Sequence, residues 1–380
     1  MASTPFSIRR HFAHLKDPRL QRCRRHRLMD IIAIALCAVI AGCDNWQQIA
    51  LFGRRRHDWL KTFLALPNGI PSHDTFERLF ARLDPQAFQA CFRSWVQALA
   101  GALGVGHIAI DGKTLRRSGA AGAGLGPLQL VSAWATAQHL SLGQAAVDGD
   151  SNEITAIPRL LELLDLKGAL VTIDAVGCQK EIARQIVEGG GDYLLTVKQN
   201  QPQLLADIQD RFVAALDSDF AGLQHDVYET EDREHGRHER RCYRILYDPE
   251  GFGQQEAWAG LRVIGVCYSE RTVGGKTSEE VRFFIGSKKA RARAYGRALR
   301  NHWQVENGLH WQLDVTFDED QSRVRQRQAA ENLALLRRFA LGLLKQHPDK
   351  GSVACKRLAA ALDPAFLEEV LYGAGKVENL

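Results

Sequence analysis

Two short apolar runs, His107-Ile-Ala-Ile-Asp111 and Leu170-Val-Thr-Ile-Asp174, each end in an aspartate. A run with so little polar character predicts a central strand covered on both faces, because a strand with one wet face alternates. A buried strand that delivers a carboxylate at its C-terminal end is usually a functional device, since an unused charge there is costly. A third acid, Glu306, lies a helical turn after His302 and a turn before His310, a spacing that predicts all three on one helix face. Two strand-end aspartates and a helical glutamate make a carboxylate triad suited to two magnesium ions. Hard oxygen ligands suit that ion, which keeps open positions for water and phosphate oxygens.

The pattern around these acids predicts an α/β chain. Residues 1–100 read as helical, with segments at 27–41, 45–52 and 57–64, a turn at Leu66-Pro-Asn-Gly-Ile-Pro71, and two further helices reaching Leu83 and Leu99. Three strands follow at 107–111, 128–134 and 140–147, the first two separated by a Gly/Ala-rich turn at 119–126. A helix from Ser151-Asn-Glu153, the strand ending at Asp174, a helix at 179–188, a strand at 193–197 and a helix from about 201 complete the series. Three strands and then helix, strand, helix, strand is the order of an RNase H-like core. The interval from Asp174 to Glu306 is about twice that from Asp111 to Asp174, too long for one strand and a helix, so 217–287 reads as a β-rich insertion turning at Gly274-Gly275. The expected division is a helical domain at 1–100 for DNA binding or dimerisation, a first core part at 101–216, the insertion at 217–290, and a second core part at 291–380. The last part carries Glu306 and an amphipathic helix at 328–346.

Composition adds bounds. With 380 residues, 45% of them hydrophobic, the chain can bury one sizeable core and a smaller domain. A formal charge of only +5 does not by itself announce a nucleic-acid partner. Basic residues nevertheless cluster, at Arg22, Arg24, Arg25 and Arg27, at Arg54 to Arg56, at Arg116 and Arg117, from Lys288 to Arg300, at Arg323, Arg325 and Arg327, and at Arg337 and Arg338. Several such clusters around an acidic site fit a phosphodiester substrate, whose backbone needs cations. Eight cysteines without C-x-x-C spacing argue for reduced thiols in a cytosolic protein. The apolar run at 31–42 is too short for a membrane crossing and reads as a buried helix. Neither a G-x-x-x-x-G-K-[ST] loop nor a strand-linked G-x-G-x-x-G is present, which disfavours a nucleotide-dependent enzyme.

Motifs along the whole chain carry a resemblance. They are Asp44-Asn-Trp-Gln-Gln-Ile49, Leu66-Pro-Asn-Gly-Ile-Pro-Ser-His-Asp-Thr-Phe76, Ala109-Ile-Asp-Gly-Lys-Thr-Leu-Arg-Arg-Ser118, Ser151-Asn-Glu-Ile-Thr-Ala-Ile-Pro158, Thr172-Ile-Asp-Ala-Val-Gly-Cys-Gln179, Gly191-Asp-Tyr-Leu-Leu-Thr-Val-Lys-Gln-Asn-Gln201 and His302-Trp-Gln-Val-Glu-Asn-Gly-Leu-His-Trp-Gln-Leu-Asp-Val315. In this order they resemble the DDE transposases of the bacterial ISAs1 insertion-sequence family, the H-repeat-associated proteins. The resemblance implies Asp111, Asp174 and Glu306 as catalytic residues and as ligands of two Mg2+ or Mn2+ ions. It implies cleavage at the element's ends and strand transfer into target DNA. The expected partners are terminal inverted repeats, target DNA and a second copy in a synaptic dimer, with no membrane, in the cytoplasm at the nucleoid. Expected DNA contacts are Lys113, Arg116, Lys198, Arg300, His302, Asn307 and Arg323.

The chain departs from a signature of the broader IS4-like group, in which Tyr, Arg and Lys surround the catalytic Glu. Leu299, His302 and Leu313 stand at those offsets, so Arg300, Lys198, Lys113 and Arg323 are the candidates to clamp phosphate. Asp314 is the rival to Glu306, and His302, Glu306 and His310 have the spacing of a zinc site. Trp303 and Trp311, at helical spacing beside the Glu, could stack on an extruded base but are expected first in the core. The same triad would also serve a nuclease that does not join DNA, and an inactive DNA-binding relic of a transposase would keep the basic clusters.

Overall fold

A computed structural model describes residues 8–100, 105–119, 124, 126–149, 151–234, 236–248, 252–253 and 255–372; most of the glycine-rich turn expected at 119–126 lies outside these. Its strands are β1 (His107–Leu115), β2 (Leu128–Ala135), β3 (Leu140–Ala146), β4 (Leu170–Ile173), β5 (Asp192–Val197), β6 (His225–Glu234), β7 (Arg237–Tyr247), β8 (Val263–Val273) and β9 (Lys276–Gly286). The chain divides into two compact units. One comprises Gly106–Asp111 and Ser151–Val305, the other Met1–Val105, Gly112–Asp150 and Glu306–Leu380.

In the first unit the strand order is β1-β4-β5-β9-β8-β7-β6, a mixed sheet. β1 and β4 are parallel, with His107 opposite Leu170 and Ile110 opposite Ile173, and β4 and β5 are parallel as well. The apolar runs explain this centre: Ile108, Ala109, Ile110, Val171, Ile173 and Leu195 are buried, as strands covered on both faces must be. The stretch expected as a β-rich insertion forms β6 to β9, an antiparallel meander that joins the centre through β9 on β5. Its β8–β9 turn uses Gly274 and Gly275 at φ +56° and +78°, a left-handed pair that matches the twist of a two-residue hairpin. Tyr243, Val263, Cys267 and Phe284 of the meander pack with Ala292, Tyr295 and Ala298, so the helix Ala292–His302 lies along this face. β6 forms the outer edge and carries Asp226, Glu229, Glu231 and Asp232.

In the second unit the helix Leu28–Ile40 is apolar all round and buried from Asp30 onward, which is why its sequence shows a run and not a stripe. The helix Arg327–Gln346 packs against it, against Pro85–Ala100 and against β3. This second helix is buried on nearly every side but is not purely apolar. Asn332 Nδ2 donates to the carbonyls of Phe80 and Leu83 at 2.9 and 2.8 Å, satisfying the end of a neighbouring helix. Arg338 pairs with Glu319 at 3.0 Å with both side chains fully buried, and Arg337 donates to the Asp44 carbonyl at 3.0 Å. Arg337 and Arg338, read from sequence as a basic patch, are therefore internal, each 1% exposed, and the Asp44 carbonyl and Glu319 carboxylate that hold them lie outside their helix. Among the described residues no helix is long and apolar enough to cross a membrane.

Candidate active site

The register of β1 on β4 positions two of the predicted acids. Ile110 faces Ile173, so Asp111 and Asp174 follow at matching positions on neighbouring parallel strands. Asp174 leaves the strand as a cap: its Oδ1 accepts the Val176 N–H at 3.1 Å and closes the single turn Ala175–Gly177. That turn folds back tightly on β4, for a Cβ at Gly177 would stand 2.3 Å from Ile173 Cγ2. The segment after β5 braces the same turn, with Asn200 Nδ2 donating to the Ala175 carbonyl at 2.6 Å and Gln201 Nε2 to that of Cys178 at 2.9 Å. Asn200 is thus a brace, while Lys198 beside it is exposed.

Beneath the aspartates lies a chain that sequence reasoning missed. Thr172 Oγ1 is 2.9 Å from His107 Nε2 and 3.0 Å from His302 Nδ1. The Thr172 hydroxyl also lies 3.5 Å from the Ile108 carbonyl, and with one proton to give it must accept from at least one of the two imidazoles. Burial, and the facing His302, push the His107 imidazole down to about 4. The available signal was the presence of His107 and Thr172 as polar residues inside otherwise apolar strands. His302, expected at phosphate, instead ties the end of its helix to β4.

The expected helix through His302, Glu306 and His310 is not continuous. Ala292–His302 ends at a turn, and Glu306–His310 forms a single π-helical turn that leads into Trp311–Val315. Such turns carry an extra residue and recur at functional sites. Glu306 Oε2 lies 3.1 Å from Nδ1 of His310; the carboxylate is half exposed and the imidazole buried. The His310 hydrogen bond holds the Glu306 carboxyl below its ordinary range, against the opposing effect of burial. With His302 on Thr172, the zinc spacing seen in sequence is not realised as one helix face.

Asp314, the rival acid, is engaged. Lys113 Nζ donates to its two oxygens at 2.6 Å each and lies 3.7 Å from Asp320 Oδ1. Burial pushes the Asp314 carboxyl up and Lys113 opposes it. Lys113, expected at phosphate, is only 7% exposed and occupied by this contact. The other expected contacts differ in freedom. Arg116 is 81% exposed with Nε 3.2 Å from Asp320, Arg300 is bound to Asp232, and Asn307 and Arg323 are exposed. Trp303 and Trp311 are 53% and 50% exposed, correcting their expected place in the core. Leu309 and Leu313 fill the buried stripe, which leaves Trp311 outside, and Trp303 sits in the turn with the Arg282 guanidinium 5.1 Å over its ring.

Comparison with known proteins settles the family. The model described as "Transposase DDE domain" matches residues 104–343, and "DDE_Tnp_1-associated" matches residues 9–96. The chain belongs to the DDE transposase family. It is 40% identical over 370 residues to "Putative transposase YncI" of Escherichia coli O157:H7, covering 96% of this chain and 94% of that one. It is 38% identical over 371 residues to "H repeat-associated putative transposase YhhI" of E. coli strain K12, covering 96% and 97%. A solved piggyBac transposase synaptic complex with hairpin DNA aligns at TM-score 0.45 and 11% identity, over 98% of this chain and 79% of that one. The H-repeat-associated likeness read from the motifs is thereby borne out, and membership of a DDE transposase family implies use of a divalent metal.

Proposed function

We propose that this transposase cuts phosphodiester bonds at the ends of its own insertion element and joins the resulting 3′-hydroxyl to target DNA, with Asp111, Asp174 and Glu306 as its acids. The observation that carries the reading is the β1–β4 register, in which Asp111, midway along β1, and Asp174, just past the end of β4, follow the matched pair Ile110 and Ile173 of two parallel strands, an arrangement consistent with an RNase H-like core. Chain continuity supports the third: Glu306 follows closely on His302, and His302 is fastened to Thr172, two residues before Asp174.

The donor set fits two Mg2+ or Mn2+ ions. All three ligands are hard carboxylate oxygens, Asp174 is oriented through one oxygen by the Val176 N–H, and Glu306 is kept ionised by His310. Bound there, the ions would polarise the phosphate and favour the attacking oxygen's deprotonated form. The protein's own part is to hold the acids still: the Gly177 turn and its Asn200 brace fix Asp174, and His310 fixes Glu306. Arg116, Lys198, Asn307 and Arg323 are the exposed groups assigned to DNA backbone. Residues 1–100 serve as a DNA-binding or dimerisation domain, and 217–290 as an insertion within the core. Joining two ends calls for a dimer on DNA.

A plasmid assay with purified protein, magnesium and the element's flanking ends tests this. Wild type is expected to excise and join; Glu306→Gln should lose at least about a thousandfold in rate while Asp314→Asn loses no more than about tenfold. Cutting without joining would make the protein a nuclease, and end binding without cutting would make it a DNA-binding relic.

A further inference from the structure

Asp314, Glu319 and Asp320 place three acids close together in sequence, and cations from two other elements meet them. Arg338 of the long helix takes Glu319, while Lys113 in β1 and Arg116 just past its end take Asp314 and Asp320. The Lys113 contact is the most sequestered of the β1 pair: the ammonium meets both Asp314 oxygens at 2.6 Å on a side chain 7% exposed, whereas Arg116 is 81% exposed.

We propose that Lys113 and Asp314 are a positioning pair for the reaction, a charge clamp that fastens β1 just beyond Asp111 to the segment just beyond Glu306. Lys113 is thereby a tether and not a phosphate contact, and Asp314 is its counter-ion and not a metal ligand. The inference rests on the transposase reading above, because it assigns Asp111 and Glu306 their roles. Three observations carry it. Both Asp314 oxygens are spent on one ammonium. Asp320 and Glu319 crowd the same carboxylate with like charge, so without Lys113 the acids would repel or draw in another cation. The two partners also come from separate stretches of chain, each adjoining an acid of the triad.

Removing one partner of such a pair strands the other charge, whereas removing both leaves none stranded. The test is a double-mutant cycle on full-length protein, reading cleavage of an element-end duplex across a magnesium titration, DNA binding across a salt titration, and thermal melting. Lys113→Met should cut about tenfold more slowly and need about fivefold more magnesium for half its maximal rate, with DNA affinity and salt slope unchanged. Lys113→Met/Asp314→Asn should recover to within about threefold of wild type, and Lys113→Arg should keep most of the rate.

A phosphate-binding Lys113 would instead weaken DNA binding when removed and lower the salt slope by about one, with no recovery from Asp314→Asn. A metal-binding Asp314 would leave both Asp314→Asn and the double variant inactive. Either result overturns the proposal. Should Lys113→Met fail to fold, Asp314→Asn compared with the double variant decides: a loss of about tenfold in Asp314→Asn that the double variant recovers sustains the clamp, and loss in both or in neither overturns it. A wild type without magnesium-dependent cleavage would sink the transposase reading itself, while non-additive melting shifts in the cycle would still show the clamp as a structural pair.

Discussion

Two sets of acids in this molecule are handled in opposite ways. Asp314, Glu319 and Asp320 are clasped by Lys113, Arg338 and Arg116, with the Glu319–Arg338 pair wholly inside. Asp174 and Glu306 are held by neutral or weakly basic donors, the Val176 N–H and the His310 imidazole. A lysine or arginine at contact distance cancels a carboxylate's charge, whereas an N–H or imidazole orients it and leaves most of its field available to a cation. On the transposase reading, acids of the first kind fasten one stretch of chain to another, and those of the second kind are the ones proposed for chemistry.

The sharpest way to break this contrast is to neutralise one acid of each kind. Asp174→Asn is expected to lower DNA cleavage by at least about a thousandfold while shifting stability by under about 1 kcal/mol, as rates and melts of the same preparation would show. If Asp174→Asn melted like a core variant, the distinction would fail. The clasped set should respond in the reverse sense: Arg338→Met strands Glu319 in the interior and is expected to cost about 3–5 kcal/mol, measured by denaturant unfolding.

The smallest effect concerns His107, which is joined through Thr172 to the strand that leads into Asp174. Its folded value of about 4 lies below the unfolded one near 6.5, so the unfolded chain binds the extra proton first as pH falls. The stability that depends on a neutral ring is therefore fully present above about pH 6.5 and is lost on the way down to about pH 4, amounting to no more than about 3 kcal/mol. A His107→Asn variant should flatten that limb of the stability curve; an unchanged limb would assign the acid sensitivity elsewhere.

The central strands were legible because burial on both faces leaves an uninterrupted apolar run, but at Asp111 the end of the run did not mark the end of the strand, which continues to Leu115. The β6 to β9 meander was legible from an interval too long for the elements it had to contain. The π-helical turn at Glu306–His310 was not, since one added residue in a helix leaves the apolar spacing nearly intact. Arg337, Arg338 and Lys113 looked like surface cations because a sequence shows charge but not the distant carboxylate or carbonyl that absorbs it. The tryptophans were misassigned for a related reason: large aromatic size suggests burial, but Leu309 and Leu313 already fill the inward stripe.

The outer strand β6 has a consequence of its own. An unpaired strand edge is a template on which another polypeptide can crystallise its backbone, and fibrillar association begins that way. Here the edge reads His-Asp-Val-Tyr-Glu-Thr-Glu-Asp-Arg-Glu, so a second copy approaching it meets mostly its own sign of charge. Molecules crowded together in a cell are thus discouraged from zipping side by side through this border.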